Sequence, residues 1–132
     1  MTIDLTGEQI IAALENGVSQ AESQAGRFPQ VSGIRFTWNP KAQPGSRIIR
    51  VEIKTASGYG PIEPKSTYRI VTNSFLYEGG DGYSSFQKGT NPEYLGFVDY
   101  EILKEYIVDK SPLNARVEER IVSQANEPQT PR

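Results

Sequence analysis

A predicted strand runs into a glycine-rich loop in the stretch Thr67-Tyr68-Arg69-Ile70-Val71-Thr72-Asn73-Ser74-Phe75-Leu76-Tyr77-Glu78-Gly79-Gly80-Asp81-Gly82-Tyr83. Its first six residues are rich in β-branched and aromatic side chains, which favour a strand. Gly79, Gly80 and Gly82 then give the backbone conformations that other residues adopt only at a cost. Because ligand sites are common in loops that follow strands, this stretch is the first candidate site.

The side chains of this loop suit a ligand that combines a sugar with an aromatic base. Asp81 lies between two aromatic residues, Phe75 and Tyr83. A flat ring offers a stacking surface, a carboxylate accepts hydrogen bonds from paired hydroxyls, and bare glycine backbone permits close approach. The predicted substrate-binding residues are therefore Phe75, Gly79, Gly80, Asp81, Gly82 and Tyr83.

Each of these residues also has a structural explanation. Phenylalanine is more often buried in a core than used as a platform for a ligand. The glycines are typical of a tight turn, and Asp81 is suited to cap a helical turn over residues 82–86. The Gly-Gly-Asp-Gly string is also typical of calcium-binding repeats, but it occurs once and such folds need stacked copies. Composition alone leaves binding and packing open.

Six segments, in order along the chain, carry a resemblance to a known family. They are Leu5-Thr6-Gly7, Gly26-Arg27-Phe28-Pro29-Gln30-Val31-Ser32-Gly33, Pro44-Gly45-Ser46-Arg47, Thr67-Tyr68 with the loop Phe75 to Tyr83, Gly96-Phe97-Val98-Asp99, and Ser111-Pro112-Leu113. Over about residues 3 to 121 the chain resembles the C-terminal domain of the 5'-nucleotidase family. Members of that family are periplasmic and cell-surface nucleotide and UDP-sugar hydrolases.

The resemblance implies one domain of a two-domain enzyme, in a periplasmic or extracellular location. The N-terminal metallophosphatase domain of the family carries a divalent metal pair, and the C-terminal domain binds the nucleoside part of the substrate. Phe75 resembles the family phenylalanine that stacks on the base, and Asp81 resembles the aspartate that accepts hydrogen bonds from the ribose hydroxyls. The expected partners are a nucleoside or nucleotide ligand and the metallophosphatase domain.

Two family motifs are missing from these 132 residues. One is a Pro-Phe-x-Asn motif with a second stacking phenylalanine, and the other is an upstream Gly-Gly-Ile-Arg segment. We therefore expect millimolar nucleoside affinity at best, and no turnover, from this polypeptide by itself. The alternative is a non-catalytic interaction or assembly module of a larger extracellular protein. An acid-pair glycosidase is disfavoured because no two carboxylates fall in obviously paired loops.

Composition narrows the function further. The 14 basic and 16 acidic residues give a net charge of −2, which is too balanced for a partner of polymeric nucleic acid. The sequence lacks cysteine and histidine, which removes disulfides, thiolate or imidazole metal ligands and the commonest general base. We expect no catalytic residue, no metal site and no cofactor in this chain. The sequence shows neither a membrane-spanning run nor a signal-peptide pattern.

The remaining pattern predicts an α+β fold, with a mixed β-sheet flanked by helices. A capping box at Thr6 begins a helix that ends near Glu22. A hairpin pairs residues 34–38 with 47–54, and Ile49, Val51 and Ile53 are expected on one face. Loops are expected at 55–61 and 87–93. Asp99 is expected to cap a helix over residues 100–108, with Ile102, Leu103, Tyr106 and Ile107 on its apolar side, before an edge strand at 115–121. The domain is predicted to span residues 1–121, followed by a disordered tail or linker over 122–132.

Overall fold

A computed structural model describes residues 1–124. In this part of the chain the strands and helices are β1 (Thr2–Thr6), α1 (Gly7–Val18), β2 (Ile34–Trp38), β3 (Ile48–Thr55), β4 (Gly58–Pro61), β5 (Thr67–Val71), the single turn α2 (Ser74–Tyr77), β6 (Thr90–Glu93), α3 (Asp99–Lys110) and β7 (Ile121–Ser123). The strands form two sheets, ordered β5-β1-β6 and β4-β3-β2-β7. The second sheet is mixed, because β2 and β7 are parallel. The predicted α+β class with a mixed sheet is confirmed.

The strand β1 is the centre of the three-stranded sheet, although its pattern was not recognised in the sequence. It pairs antiparallel with β5 on one side and with β6 on the other. Its inward side chains, Ile3 and Leu5, are completely buried. The expectation of a loop over 87–93 is wrong for the part that forms β6. The four exposed residues of β6 lack a strand pattern, and backbone pairing with β1 places them in the sheet.

The helix α1 begins at the predicted capping box. Thr6 Oγ1 accepts a hydrogen bond from the Gln9 backbone N–H at 3.3 Å, and Gln9 Oε1 accepts one from the Thr6 N–H at 2.8 Å. The helix ends at Val18 and not near Glu22. The hydroxyl and the backbone N–H of Ser19 both donate to the Asn16 carbonyl, and this bond pattern closes the last turn.

The predicted hairpin is confirmed, but the predicted facing of Ile49 is wrong. Thr37 lies opposite Arg50 and Trp38 lies opposite Ile48, so Ile49 is the extra residue of a β-bulge. A bulge shifts the alternation of side chains, and Ile49 is 49% exposed while Val51 is buried. The predicted loop over 55–61 is also wrong in part, because β4 returns along β3 through a tight turn.

The C-terminal elements differ from the expectations in how they pack. Asp99 is the first residue of α3 rather than its cap, since Val98 holds the cap position. The expected apolar side of α3 is exposed, at 50% for Ile102, 59% for Leu103, 55% for Tyr106 and 41% for Ile107. Within residues 1–124 the last strand is β7, not residues 115–121, so the predicted domain end at 121 falls inside a strand. Residues 125–132 of the predicted tail lie outside the described residues.

The helices within residues 1–124 are too short or too polar to cross a membrane.

We expect Glu52 to make the stability of the four-stranded sheet depend on acid. Glu52 is buried and accepts hydrogen bonds from Arg35 at 2.7 Å and Arg50 at 2.6 Å. The hydrogen bond from Arg35 is the main cause that holds the pKa of Glu52 below its ordinary value of 4.5. Because the pKa is lower in the folded chain, this stabilisation is complete above pH 4.5 and is lost as the pH falls through the folded pKa.

Between about pH 5 and pH 3, a range that brackets the ordinary pKa of a glutamate, the melting temperature of the variant Glu52→Gln should therefore fall less than that of the wild type. Glu105→Gln, on the exposed surface of α3, is the matched control and should keep the wild-type slope. Thermal melts followed by circular dichroism measure the slope. A slope for Glu52→Gln equal to that of the wild type contradicts the assignment.

Candidate functional site

The short turn α2 places Phe75 directly beyond the end of β5. Asn73 begins this turn, because its side-chain oxygen accepts a hydrogen bond from the Leu76 N–H at 2.9 Å. The turn directs Phe75 outward, and its side chain is 56% exposed. The explanation of Phe75 as a core residue is therefore wrong.

Gly80 lies against one face of the Phe75 ring. A Cβ atom added to Gly80 would lie 2.5 Å from Cζ of Phe75 and 2.6 Å from both Cε atoms. Such distances are far inside van der Waals contact, so only glycine lets the ring approach the backbone here. One face of the Phe75 ring thus packs on the loop that carries Asp81.

Asp81 lies in the left-handed backbone conformation, with a φ of 53°. Gly79, two residues earlier, has a φ of 87°, and Gly82, the next residue, has a φ of 80°. The Asp81 side chain is exposed and caps no helical turn, so the capping explanation is wrong. Within residues 1–124, no hydrogen bond or salt bridge engages its carboxylate. Both carboxylate oxygens are available to a ligand.

Tyr83 lies beneath the loop and is buried, with 4% of its surface exposed. Its hydroxyl donates a hydrogen bond to the Arg27 carbonyl at 2.6 Å, and its ring packs against Phe86 with the centroids 5.1 Å apart. Burial raises the pKa of Tyr83 to about 12, the negative charge of Asp81 adds to this shift, and Arg27 opposes it. The Tyr83 side chain therefore supports the loop from within.

A cavity of about 820 Å³ opens beside this loop, between α1, residues 26–33 and β5. Among the predicted site residues, Asp81 and Tyr83 line it. Phe75 and the three glycines stand outside its lining. The structure thus brings the predicted residues together in one loop, with Asp81 at the boundary between the cavity and the exposed Phe75 ring.

Sequence reasoning missed two residues that contact the loop. Asn16, in the last turn of α1, donates from Nδ2 to the Asp81 carbonyl at 3.0 Å. Arg27 donates from Nη1 to Asn16 Oδ1 at 3.2 Å and also lines the cavity. Asn16 and Asp81 are 65 positions apart, so no local pattern signals their contact.

Comparison with known proteins places this arrangement in a family. The profile of the family described as 5'-nucleotidase, C-terminal domain, matches residues 1–88 of the 132-residue chain. The chain belongs to this family of 5'-nucleotidase C-terminal domains. The resemblance carried by the six sequence segments is confirmed.

Relatives of this 5'-nucleotidase C-terminal domain are much longer proteins. It is 47% identical over 105 residues to the trifunctional nucleotide phosphoesterase protein YfkN of Bacillus subtilis (strain 168). That alignment covers 79% of this chain and 7% of YfkN. It is 34% identical over 128 residues to a 5'-nucleotidase of Diplobatis ommata, and that alignment covers 92% of this chain and 22% of the relative. The chain thus spans less than a quarter of either relative.

A solved structure shows the same fold for this domain family. The crystal structure of the 5'-nucleotidase precursor from Thermus thermophilus matches with a TM-score of 0.90 at 44% identity. The match covers 96% of this chain and 25% of that one. The expected fold, that of a 5'-nucleotidase C-terminal domain, is confirmed.

The residues of this domain do not fit a metal pair. In the part of the chain that the structure describes, no three His, Cys, Asp or Glu side chains are grouped so that they could hold a metal ion. The whole sequence contains neither histidine nor cysteine.

Proposed function

We propose that this domain binds the nucleoside part of a nucleotide for a 5'-nucleotidase-type phosphoric ester hydrolase. The observation that carries the proposal is the pairing of an exposed aromatic ring, Phe75, with a carboxylate, Asp81, that is free of partners among residues 1–124. Both side chains belong to one loop, from residue 73 to residue 83. A base and a ribose are the two parts of a ligand that match this pair.

The Phe75 ring supplies the stacking surface in this proposal. One face of the ring packs on Gly80, and the exposed remainder of the side chain is offered to a base. Stacking of one base on an aromatic side chain contributes about 1–3 kcal/mol. One ring stacks on only one face of a base, which agrees with the expected millimolar affinity of this polypeptide.

Asp81 supplies the contact to the sugar. Two carboxylate oxygens match the two neighbouring hydroxyls of a ribose, and each hydrogen bond gains strength from the negative charge. The missing Cβ atoms of Gly79, Gly80 and Gly82 make room for the side chains of Gln87, Phe75 and Asn16, which pack against the loop that carries Asp81. A ribonucleoside is therefore expected to bind better than its 2'-deoxy analogue.

Holding the nucleoside serves catalysis by presenting the phosphate to another part of the enzyme. Correct placement of a bound substrate replaces an encounter between separate molecules and lowers the entropic part of the barrier. The divalent metal pair and the hydrolytic step belong, in this proposal, to an N-terminal metallophosphatase domain of a longer periplasmic or extracellular protein. The 132-residue chain by itself is expected to show no turnover.

A second candidate function is a non-catalytic interaction or assembly module. It is favoured by the apolar side chains that α3 and the residues before it leave exposed, including Phe97 at 71% and Leu103 at 59%. Exposed apolar surface of this kind marks contact sites for other protein surfaces. The two candidates make different predictions for a nucleoside titration.

Titration of the ¹⁵N-labelled 132-residue chain with adenosine separates them. We expect saturable shifts of the Phe75, Asp81 and Tyr83 amides at millimolar adenosine. Phe75→Ala should lower the adenosine affinity several-fold, since stacking contributes at least about 1 kcal/mol. Phe97→Ala is the matched control and should leave the adenosine affinity unchanged. An unchanged spectrum at several millimolar adenosine contradicts nucleoside binding and favours the interaction module.

A further inference from the structure

We propose that Asn16 is a positioning residue for ribose recognition, acting through Asp81. This inference rests on the proposed nucleoside site and adds a specificity determinant from a different part of the fold. Asn16 touches no ligand in this account. Its side chain fixes the backbone at the residue whose carboxylate would meet the ribose.

Both ends of the Asn16 amide are engaged. Nδ2 donates to the Asp81 carbonyl at 3.0 Å, and Oδ1 accepts from Arg27 Nη1 at 3.2 Å. A guanidinium can only donate and a carbonyl can only accept, so these two partners fix the orientation of the amide. Asn16 is therefore a rigid link between α1, the 26–33 segment and the glycine loop.

The loop backbone forms its own turn, in which the Gly82 and Tyr83 N–H groups donate to the Gly79 and Gly80 carbonyls at 3.2 Å each, but within residues 1–124 no backbone N–H donates to the Asp81 carbonyl. Asp81 has a φ of 53°, in the left-handed region that residues other than glycine adopt less readily. Gly79 and Gly82, on either side of residues 80 and 81, add conformational freedom to the backbone and do not rigidify it. The Asn16 hydrogen bond ends on the backbone of Asp81 itself, so it stabilises this conformation where it is least favourable.

Close packing at Gly82 shows that Asn16 lies directly against the loop. A Cβ atom added to Gly82 would lie 2.8 Å from Asn16 Oδ1 and 3.3 Å from Arg27 Nη1. On the other side of Gly82, the Tyr83 hydroxyl is tied to the Arg27 carbonyl at 2.6 Å. Asn16 and Tyr83 thus hold the loop on both sides of Gly82, and both side chains are hydrogen-bonded to Arg27.

Asn16 belongs to a helix that packs firmly into the core. The helix α1 buries Leu14, Gly17 and Val18 in the core around it. A side chain on such a helix is placed more accurately than one on a loop. The position of the Asp81 carboxylate is therefore set by α1 through the Asn16 amide, and recognition of the 2'- and 3'-hydroxyls depends on that position.

The test is the variant Asn16→Asp, measured by NMR titration of the 132-residue chain with adenosine and with 2'-deoxyadenosine. Aspartate keeps the size of the side chain and an acceptor for Arg27, but it removes the donor and places a carboxylate against the Asp81 carbonyl. We expect at least about a fivefold loss of adenosine affinity, as for one lost hydrogen bond, and a ratio of the two affinities close to one. The Gly82 and Tyr83 amides should also exchange faster with solvent in the absence of ligand.

Asn114→Asp is the matched control, since it makes the same chemical change at an exposed position. It should keep the wild-type affinity ratio. Where Asn16→Asp fails to fold, Asn16→Ala removes the amide without adding charge and should give the same loss of discrimination.

The outcomes separate the two proposals. A folded Asn16 variant that keeps the wild-type preference for adenosine overturns the positioning role and leaves the nucleoside site standing. A wild-type chain that does not bind adenosine overturns the nucleoside site and the positioning role with it. A wild-type chain that binds both nucleosides equally overturns ribose recognition by Asp81 and the positioning role, and leaves nucleoside binding standing.

Discussion

Truncation of Leu5 to alanine should lower the free energy of unfolding by about 3.5 kcal/mol, the middle of the range for a buried leucine. Leu5 is completely buried at the centre of the three-stranded sheet. Its strand pairs with β5 on one side and β6 on the other, which limits how far the surroundings can close around the lost side chain. Urea unfolding followed by Trp38 fluorescence gives the free energy.

Leu103→Ala is the control for this truncation, because it removes the same atoms from the exposed face of α3. Leu103 is 59% exposed, so its loss should change the free energy of unfolding by less than about 0.5 kcal/mol. Equal effects at the two positions would show that β1 does not hold the core as described. A large effect at Leu103 alone would show that α3 packs against another surface.

Replacement of Asp81 by asparagine is expected to reduce adenosine affinity about tenfold or more. Asparagine removes the charge and one of the two acceptor oxygens, and hydrogen bonds to a charged group are about twice as strong as neutral ones. Asparagine also tolerates a positive φ, so the conformation of the loop at 53° is preserved. The NMR titration measures the change.

Asp109→Asn provides the control, since Asp109 lies on the exposed α3 and pairs with the neighbouring Lys110. It should leave the adenosine affinity unchanged. The loss caused by Asp81→Asn should be smaller for 2'-deoxyadenosine, which has one fewer hydroxyl to offer. Unchanged adenosine affinity in Asp81→Asn contradicts the role of the carboxylate.

Local patterns in the sequence predicted the elements whose causes are local. The capping box needs only Thr6 and Gln9, three residues apart, and it is present in the structure. The hairpin of β2 and β3 follows from alternating side chains on both sides of a turn-rich segment, and its bounds agree within one residue. These features follow from the nearest neighbours along the chain.

The elements that sequence patterns missed depend on contacts between distant residues. The strand β6 consists of Thr-Asn-Pro-Glu, without a buried side chain, and exists because β1 offers it hydrogen bonds. The exposure of Ile49 follows from a bulge, and the backbone at its start is held by Glu15 of α1, which accepts hydrogen bonds from the Arg47 and Ile48 N–H groups at 2.9 Å and 2.8 Å. No pattern within β3 records that contact.

The candidate site likewise contains residues that the sequence predicted and residues that only the fold brings to it. Phe75 and Asp81 stand in a short loop whose residue types suggest binding, and the family resemblance gives each a role. The roles of Asn16 and Arg27 depend on the approach of α1 to the loop, which only the folded chain shows. Tyr83 was predicted to bind substrate, and its buried hydroxyl bonds to the Arg27 carbonyl instead of facing the open surface.

Intermolecular nuclear Overhauser effects between adenosine and the ¹³C-labelled chain test the central claim most directly. The account predicts contacts from the base protons of adenosine to the ring protons of Phe75, and from the ribose protons to the Asp81 methylene group. Contacts of the bound nucleoside to other surfaces, with none to Phe75 or Asp81, would contradict it.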